Sequence, residues 1–234
     1  QRGRRAQRPV LSAGADGTVS FNADIGADVA LGQLIVTEAK GVAFGNDPDA
    51  ADPDLAPITT VQVDGDPDPL NQDDFDINLG SVTAIGEDGI AFNAGDGQTI
   101  SLVTTGDRVR FNGAVELRSD ARIDTDGGSG LGAEIRFTLN ATIDSQAAEN
   151  NDLTLTAGTE GIVSFNADLG ANAALGQLIV TEAYGVEFGH DPSSADPDLA
   201  TMTMVRVDGD LDPLNPDDFD INLGSEGAIG PGGI

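Results

Sequence analysis

The stretch LTLTAGTEGIVSFNADLGANAALGQLIVTEA, residues 153–183, contains the pattern that decides the fold. Short runs of Leu, Ile, Val, Thr and Phe alternate with Gly, Asn and Asp, which accept positive φ angles and favour turns. Helical periodicity is weak, since no long run repeats its apolar residues every three to four positions. The pattern therefore predicts an all-β chain of short strands separated by tight turns.

The same stretch belongs to an internal duplication. Residues 13–90 align without a gap on residues 157–234, at an offset of 144, with 21 differences in 78 positions. No second copy of residues 91–156 is present in the sequence. We therefore divide the chain into a cationic N-terminal tail leading into the first strand (1–12), a first full repeat (13–156) and a truncated second repeat (157–234).

Two architectures fit many short strands joined by turns. In a β-solenoid each turn of chain adds strands to long parallel sheets, and tandem duplication lengthens the stack because each coil contacts only its neighbours. In the alternative, each repeat forms a β-sandwich module. Few aromatic residues and many Gly, Asn and Asp turns favour the solenoid, with the Asp/Pro-rich segments 46–56 and 64–77 as acidic loop insertions.

Composition excludes several classes of function. The chain has 40 Asp and Glu against 11 Lys and Arg, and a net charge of −29, so it lacks the basic surface that nucleic acids require. No Cys is present, which excludes disulfides and thiolate chemistry. No apolar run approaches the roughly 18 residues of a membrane helix, so no membrane insertion is expected.

The motif at 140–183 resembles the repeats of large bacterial surface exoproteins related to filamentous haemagglutinin. The resemblance rests on LTLTAGTEGIVSFNADLG, followed by LGQLIVTEA, and the first copy repeats it at 13–39. It implies a right-handed parallel β-helix that is secreted or displayed at the cell surface. It also implies an adhesive or structural role without catalysis. A cell-surface or matrix polysaccharide is a candidate partner.

Two acidic segments are candidate calcium sites. Ca²⁺ binds six to eight hard oxygen ligands, and alternating Asp residues direct carboxylates toward one centre. The pattern is not an EF-hand, since the sharp-turn Gly and a following helix are missing. The alternative is a solvated acidic loop that keeps the protein soluble. The candidate ligands are Asp64, Asp66, Asp68, Asn71, Asp73, Asp74 and Asp76 in the first copy, and Asp208, Asp210, Asp212, Asn215, Asp217, Asp218 and Asp220 in the second.

A second acidic cluster is a weaker calcium candidate. It consists of Asp47, Asp49, Asp52 and Asp54, and its second-copy counterpart is Asp191, Ser193, Asp196 and Asp198, so one carboxylate is lost between the copies.

Catalysis is not expected. His190, Asp191 and Ser193 provide the residue types of a catalytic triad, but neighbours in one loop cannot adopt triad geometry. A carbohydrate-binding or polysaccharide-cleaving β-helix is the alternative function, because paired carboxylates are abundant. Aromatic side chains that would line a sugar groove are few: Tyr184 is the one Tyr, its first-copy counterpart is Lys40, and Trp is absent.

The arginines are grouped in two places. Arg2, Arg4, Arg5 and Arg8 precede Pro9, and we expect this tail to dock on the acidic surface of a second subunit, giving head-to-tail self-association. A disordered tail or a remnant of processing is the alternative. Arg108 and Arg110 alternate with apolar residues, so both are expected on one face of a strand, paired with Asp or Glu of a neighbouring coil.

Overall fold

The secondary structure consists of β-strands. A computed structural model describes residues 7–46, 54–64, 75–190, 196–208, 220–225, 227 and 229–234, and no helix occurs among them. The strands are β1 (Val10–Phe21), β2 (Leu34–Phe44), β3 (Thr60–Gln62), β4 (Phe75–Leu79), β5 (Gly89–Phe92), β6 (Thr99–Val103), β7 (Arg108–Phe111), β8 (Val115–Leu117), β9 (Asp120–Asp124), β10 (Ile135–Phe137), β11 (Ile143–Ser145), β12 (Leu153–Thr156), β13 (Ile162–Phe165), β14 (Leu178–Glu182), β15 (Gly185–Phe188) and β16 (Ile221–Leu223).

All strand pairings of the described residues are parallel. A ten-stranded sheet contains β1, β2, β4, β5, β7, β8, β10, β11, β13 and β15, and a six-stranded sheet contains β3, β6, β9, β12, β14 and β16. The all-β prediction is thus confirmed, with parallel sheets. Antiparallel hairpins, from which a β-sandwich is built, do not occur among these pairings.

The larger sheet divides into two ladders at its long strands. The first part of β2 pairs with β4, and its second part pairs with β5. The first ladder runs through the first parts of β1 and β2, then β4, β7, β10, β13 and β15. The second ladder runs through the second parts of β1 and β2, then β5, β8 and β11, and continues through bridges at Leu169 and Val205.

The six-stranded sheet is the third ladder. It begins with a bridge from Ile25 to Val61 and continues through β3, β6, β9, β12, β14 and β16. Along the sequence the chain visits the first, second and third ladders in that order, seven times. We call each such pass a level. The first level contains β1 and Ile25, and the seventh contains β15, Val205 and β16.

The two copies of the repeat occupy different ladders. Thr18–Phe21 lies in the second ladder, whereas its counterpart β13 lies in the first. Ile25 lies in the third ladder, and its counterpart Leu169 lies in the second. The 144-residue offset corresponds to fourteen successive ladder positions along the chain. Five complete levels contain fifteen positions, so each segment of the second copy lies one ladder before its counterpart in the first copy. The strand pairing itself is continuous across the predicted repeat boundary at 156/157, because β12 pairs with both β9 and β14.

The core lies between the ladders and contains a continuous stack of phenylalanine rings. Neighbouring ring centroids are 4.9–5.9 Å apart, in the range of favourable aromatic pairs. One contact, between Phe92 and Phe111, is edge-to-face, and there the stack passes from the second ladder to the first. The stacked residues are Phe21, Phe44, Phe92, Phe111, Phe137, Phe165 and Phe188.

Turns after these rings are closed by buried asparagines and by glycine. Asn166 donates from Nδ2 to the carbonyl oxygen of Phe137 at 3.0 Å, and Asn112 donates from Nδ2 to that of Gly80 at 2.9 Å. Gly26 and its counterpart Gly170 have φ angles of 71° and 67°, and a Cβ at either would collide with a carbonyl oxygen of the next level. The turn residues that recur in the sequence therefore have definite steric roles.

Candidate functional site

The predicted calcium ligands lie mostly outside the described residues. This applies to Asp66, Asp68, Asn71, Asp73 and Asp74, and to Asp210, Asp212, Asn215, Asp217 and Asp218. The described members flank the two segments: Asp64, Asp208 and Asp220 are exposed. Asp76 is 4% exposed, lies at a register irregularity in β4, and has an interaction partner within the protein.

Among the described residues no group of three or more His, Asp or Glu side chains is placed to hold a metal ion. The calcium site therefore stays a prediction, which rests on the alternating Asp pattern of both copies.

The second acidic cluster gives a different result. Asp47, Asp49, Asp52, Asp191 and Ser193 lie outside the described residues, and Asp54 is exposed. Asp196 and Asp198, however, bind arginine side chains of the first repeat. Their carboxylates bind guanidinium groups, and the calcium site at this cluster stays a prediction.

Arg110 is the centre of this contact. Its Nε and Nη2 donate to Oδ2 and Oδ1 of Asp198 at 2.7 and 2.6 Å, a bidentate geometry. Its Nη1 donates to Asn78 Oδ1 at 3.2 Å and to the Gly80 carbonyl oxygen at 3.0 Å. The side chains of Arg110 and Asp198 are 11% and 18% exposed, so the pair is largely removed from solvent.

Arg136, on the neighbouring strand β10, forms the second half of the contact. Its Nη1 donates to Asp196 Oδ2 at 2.9 Å and its Nε to Glu134 Oε1 at 2.7 Å. Burial opposes the charge of Arg136, but Glu134 and Asp196 outweigh this effect and raise its pKa. The backbone N–H of Asp198, which donates to Asp196 at 3.0 Å, and the charge of Arg136 together lower the pKa of Asp196.

Phe75 and Arg108 complete this surface. The guanidinium carbons of Arg108 and Arg136 lie 5.3 and 5.7 Å from the Phe75 ring centroid, within cation–π range. Arg108 Nη2 is 3.1 Å from Glu134 Oε2, close enough for an ion pair although not aligned as a hydrogen bond. As predicted, Arg108 and Arg110 lie on one face of a strand, alternating with buried Val109 and Phe111.

The segment 196–198 therefore acts as a strap. It follows β15 in the seventh level, but its carboxylates bind side chains of β7 and β10 in the fourth and fifth levels. The backbone N–H of Leu139 also donates to the Asp198 carbonyl oxygen at 3.0 Å. We use the name acidic strap for residues 196–198. It neutralises part of the arginine cluster and ties the second repeat to the first.

The cationic tail is described only from residue 7 onward. Arg2, Arg4 and Arg5 lie outside the described residues. Arg8 is exposed, immediately precedes β1, and has an interaction partner within the protein.

A polar groove with a volume of about 220 Å³ opens where three turns meet. Arg118 lies in it among the carboxylates of Asp96, Asp120 and Glu149, and Arg118 Nε donates to Glu116 Oε2 at 2.7 Å. Ala148, next to the groove, has a φ angle of 68° that non-glycine residues rarely adopt. The lining residues are Gly95, Asp96, Gly97, Gln98, Arg118, Ser119, Asp120, Glu149 and Asn151.

Sequence reasoning missed both the strap and the groove. Arg110 and Asp198 are 88 positions apart, and the groove combines turns from three levels. No local motif marks such contacts, because the stacking of levels creates them.

The catalytic alternative gains no support from the described side chains. The backbone N–H of His190 donates to the Ala200 carbonyl oxygen at 2.8 Å, and the neighbouring Asp191 and Ser193 are outside the described residues. Nor does the described part contain a helix that is long and apolar enough to cross a membrane.

No family model matches this chain, and no curated protein and no solved structure is detectably similar to it. The resemblance to filamentous haemagglutinin repeats thus stays a prediction from the motifs at 140–183.

Proposed function

We propose that this chain is a non-catalytic structural or adhesive element outside the cell, built as a right-handed parallel β-helix that binds Ca²⁺ and associates head to tail. The observation that carries the proposal is the seven-level stack of parallel strands around one continuous row of phenylalanine rings. Such a stack can be lengthened by repeats, because strand pairing joins each level only to its neighbours. Extension by repeats suits a spacer or fibre.

The β-helix itself is supported by the order of the ladders. The chain passes through three parallel ladders in a fixed order, and each return to a ladder adds a parallel strand beside the previous one. Crossover connections between parallel strands are right-handed in about 98% of cases, which favours the right-handed form.

The proposed extracellular location and calcium binding rest on the charge. A net charge of −29 concentrated in Asp-rich loops keeps a long repeat protein soluble, and it attracts divalent cations to those loops. The tail with Arg2, Arg4, Arg5 and Arg8 is the one strongly basic segment of the sequence, and it complements the acidic body of a second subunit.

Surface labelling tests the location. We expect antibodies raised against residues 1–234 to label intact, unpermeabilised cells of the source organism as strongly as permeabilised cells. An antibody against a cytosolic protein, which should label only permeabilised cells, is the control. Labelling that requires permeabilisation would contradict the extracellular role.

The polar groove favours a second candidate function, the binding or cleavage of carbohydrate. Arg118 with three carboxylates offers both donors and acceptors to the hydroxyl groups of a sugar in this groove. Release of reducing ends from a polysaccharide by the wild type, and its loss in Arg118→Ala, would support this alternative.

A further inference from the structure

The two ends of the stack carry apolar side chains that the core covers only in part. Each of these side chains packs against the buried core and belongs to the first level, to the seventh level, or to the turn after it. They are Leu11, Ala13, Val19, Phe21, Ile25 and Leu31 at one end, and Phe188, Met202, Val207, Leu223 and Ile229 at the other.

The duplication provides a matched comparison for each of them. The first-level group corresponds to residues of the fifth and sixth levels that are fully buried, at 0% exposure: Leu155, Ala157, Val163, Phe165, Leu169 and Leu175. The seventh-level group corresponds to residues of the first copy that are at most 5% exposed: Phe44, Ile58, Val63, Leu79 and Ile85. The local sequence is nearly the same, so the difference in burial comes from the missing neighbouring level.

The hydrogen-bonding edges show the same difference. Within the described residues β1 pairs only with β2, whereas its counterparts pair on both sides: β12 with β9 and β14, and β13 with β10 and β15. At the other end β16 pairs only with β14, whereas its counterpart β4 pairs with β2 and β7. Each edge that is unpaired within the described part of the chain therefore has a sequence that accepts a parallel strand elsewhere in the same chain.

We propose that the first level of a second copy of this chain packs on the seventh level, burying both partly covered ends in one interface. This inference rests on the proposed head-to-tail association and assigns its surfaces. Two further side chains of the seventh level fit the assignment. Val205 and Ile221 are 37% and 46% exposed, whereas their counterparts Val61 and Ile77 are at 0%.

The seventh level also determines where the incoming strand begins. Gly233 already pairs with Gly185 on the first ladder, so the next free ladder position is the second. The first part of the incoming β1 then lies above Val205 and Val207, and its second part lies above β16. This placement brings the partly covered apolar side chains of the copy's β1 onto the partly covered Val207 and Leu223.

The charges at the two ends of the stack also favour head-to-tail packing. The exposed side chains of Glu187, Asp208 and Asp220 make the seventh level acidic. Arg2, Arg4, Arg5 and Arg8 directly precede β1 in the sequence. Two like ends would bring equal charges together, whereas unlike ends pair a basic segment with an acidic one.

Blocking one end tests the inference. In physiological salt, we expect the weight-average mass of the wild-type chain in sedimentation velocity to rise with concentration. Ile221→Lys places an ammonium group in the interface, and we expect it to stay monomeric over the same range. Val82→Lys is the control, because Val82 is 76% exposed in a turn of the first copy, away from both ends, and it should associate like the wild type.

A mixing experiment tests the polarity and shows that the variants are folded. Val19→Lys blocks the first level and Ile221→Lys blocks the seventh, so each variant alone should be monomeric. A one-to-one mixture should form dimers and nothing larger, because only one intact end of each kind is present.

Three results would overturn the inference: association of Ile221→Lys equal to that of the wild type, absence of dimers in the mixture, or a wild type that is monomeric throughout. The first would mean association through another surface, which leaves the proposed self-association in place. The last would identify further levels of the same polypeptide as the cover of these ends. Neither affects the surface-labelling test of the proposed function.

Discussion

Arg110 shows how one side chain of the first repeat comes to depend on the second. Its side chain is 11% exposed, and it donates two hydrogen bonds to the carboxylate of Asp198, which balances its charge. Exposed ion pairs contribute about 0–1 kcal/mol, but removing one partner of a largely buried pair leaves an uncompensated charge and costs several kcal/mol. The strap contact therefore belongs to the second class, and its carboxylate comes from the seventh level and not from the neighbouring coil that the sequence predicts.

We expect Asp198→Ala to lower the free energy of unfolding by about 2–4 kcal/mol, because Arg110 keeps its charge and loses its bidentate partner. Urea denaturation followed by circular dichroism measures the loss. Glu116→Ala is the matched control, since it removes the partner of Arg118 from an exposed pair whose side chains are 37% and 43% exposed. That change should cost no more than about 1 kcal/mol. Equal losses in the two variants would contradict the structural role of the strap.

Asp196 gives the strap a defined dependence on pH. Its pKa is lowered in the folded chain by the Asp198 backbone N–H and by Arg136. A carboxyl with a lowered folded pKa stabilises the fold above its unfolded value, about 3.9, and this contribution is lost as the pH falls through the lower folded value. The strap is therefore intact at neutral pH and weakens only in acid.

Lys40 and Tyr184 show that the copies changed in a coordinated way. Lys40 Nζ lies 3.2 Å from Glu87 Oε1 and 3.1 Å from Asp88 Oδ1. In the second copy the residues corresponding to Glu87 and Asp88 are Pro231 and Gly232, and a Cβ on Gly232 would collide with the Tyr184 ring. An ion pair has thus been replaced by an aromatic ring packed on a glycine turn, a substitution that is compatible with the same backbone.

Among the elements, the phenylalanine stack contains two rings that have the same local sequence but different packing. Phe21 and Phe165 both lie in VSFNAD. Phe165 stacks between Phe137 and Phe188, at 5.3 and 5.2 Å, whereas among the described rings Phe21 stacks on Phe44 alone, at 5.1 Å. Phe165 is fully buried and Phe21 is partly covered. The two positions differ in packing and not in local propensity.

We expect Phe165→Ala to lower the free energy of unfolding by about 3–5 kcal/mol and Phe21→Ala by about 1–2 kcal/mol. The larger loss combines lost transfer free energy, a cavity and two ring contacts. Chemical denaturation of dilute protein, in which the first level is uncovered, measures both values. Similar losses would show that the stack does not stabilise the chain as its geometry indicates.

The sequence predicts strands where the apolar alternation is clean. This alternation predicts strands at Thr99–Val103, Arg108–Phe111 and Ile162–Phe165, and the structure has strands with these bounds. The alternation does not predict the strands Val115–Leu117 and Asp120–Asp124. Their sequence, VELRSDARID, carries charged residues at every outward position, and the strands are only three to five residues long. Pairing on both sides holds such strands in place, and a single sequence does not display that pairing.

At the scale of the whole molecule, repulsion among 40 acidic side chains opposes folding unless cations relieve it. We expect Ca²⁺ to raise the melting temperature more than Mg²⁺ at equal ionic strength, since the larger ion accepts irregular oxygen ligand sets and Mg²⁺ requires octahedral ones. Specific binding at a hundred times the Kd would add about 2.7 kcal/mol. Calorimetry in each salt, with a chelator as reference, measures the effect.

A pair of variants separates specific binding from general screening. Asn in place of Asp66, Asp68 and Asp73, with the same change at Asp210, Asp212 and Asp217, should remove the difference between Ca²⁺ and Mg²⁺. Asn in place of the exposed Asp16, Asp28 and Asp96 should leave it unchanged. The first variant removes six carboxylates and the second removes three, so an equal reduction per carboxylate removed would mean that Ca²⁺ acts by screening alone.

The overall β architecture follows from local patterns, but the placement of the two copies does not. Identical sequences such as SFNAD lie in the second ladder in one copy and in the first in the other. The ladder on which a segment lies depends on how many strands precede it in the chain, and therefore on how every intervening loop folds. The arginine contacts of the strap depend on this placement, so local residue patterns do not predict them.

The one-ladder displacement has a consequence for how such a gene could change in length. Gain or loss of one 144-residue unit by unequal recombination would shift everything encoded downstream by one ladder. A loop that faced one side of its surroundings would then face another, without any substitution in it. Only changes in multiples of three units would keep every downstream loop on its original side.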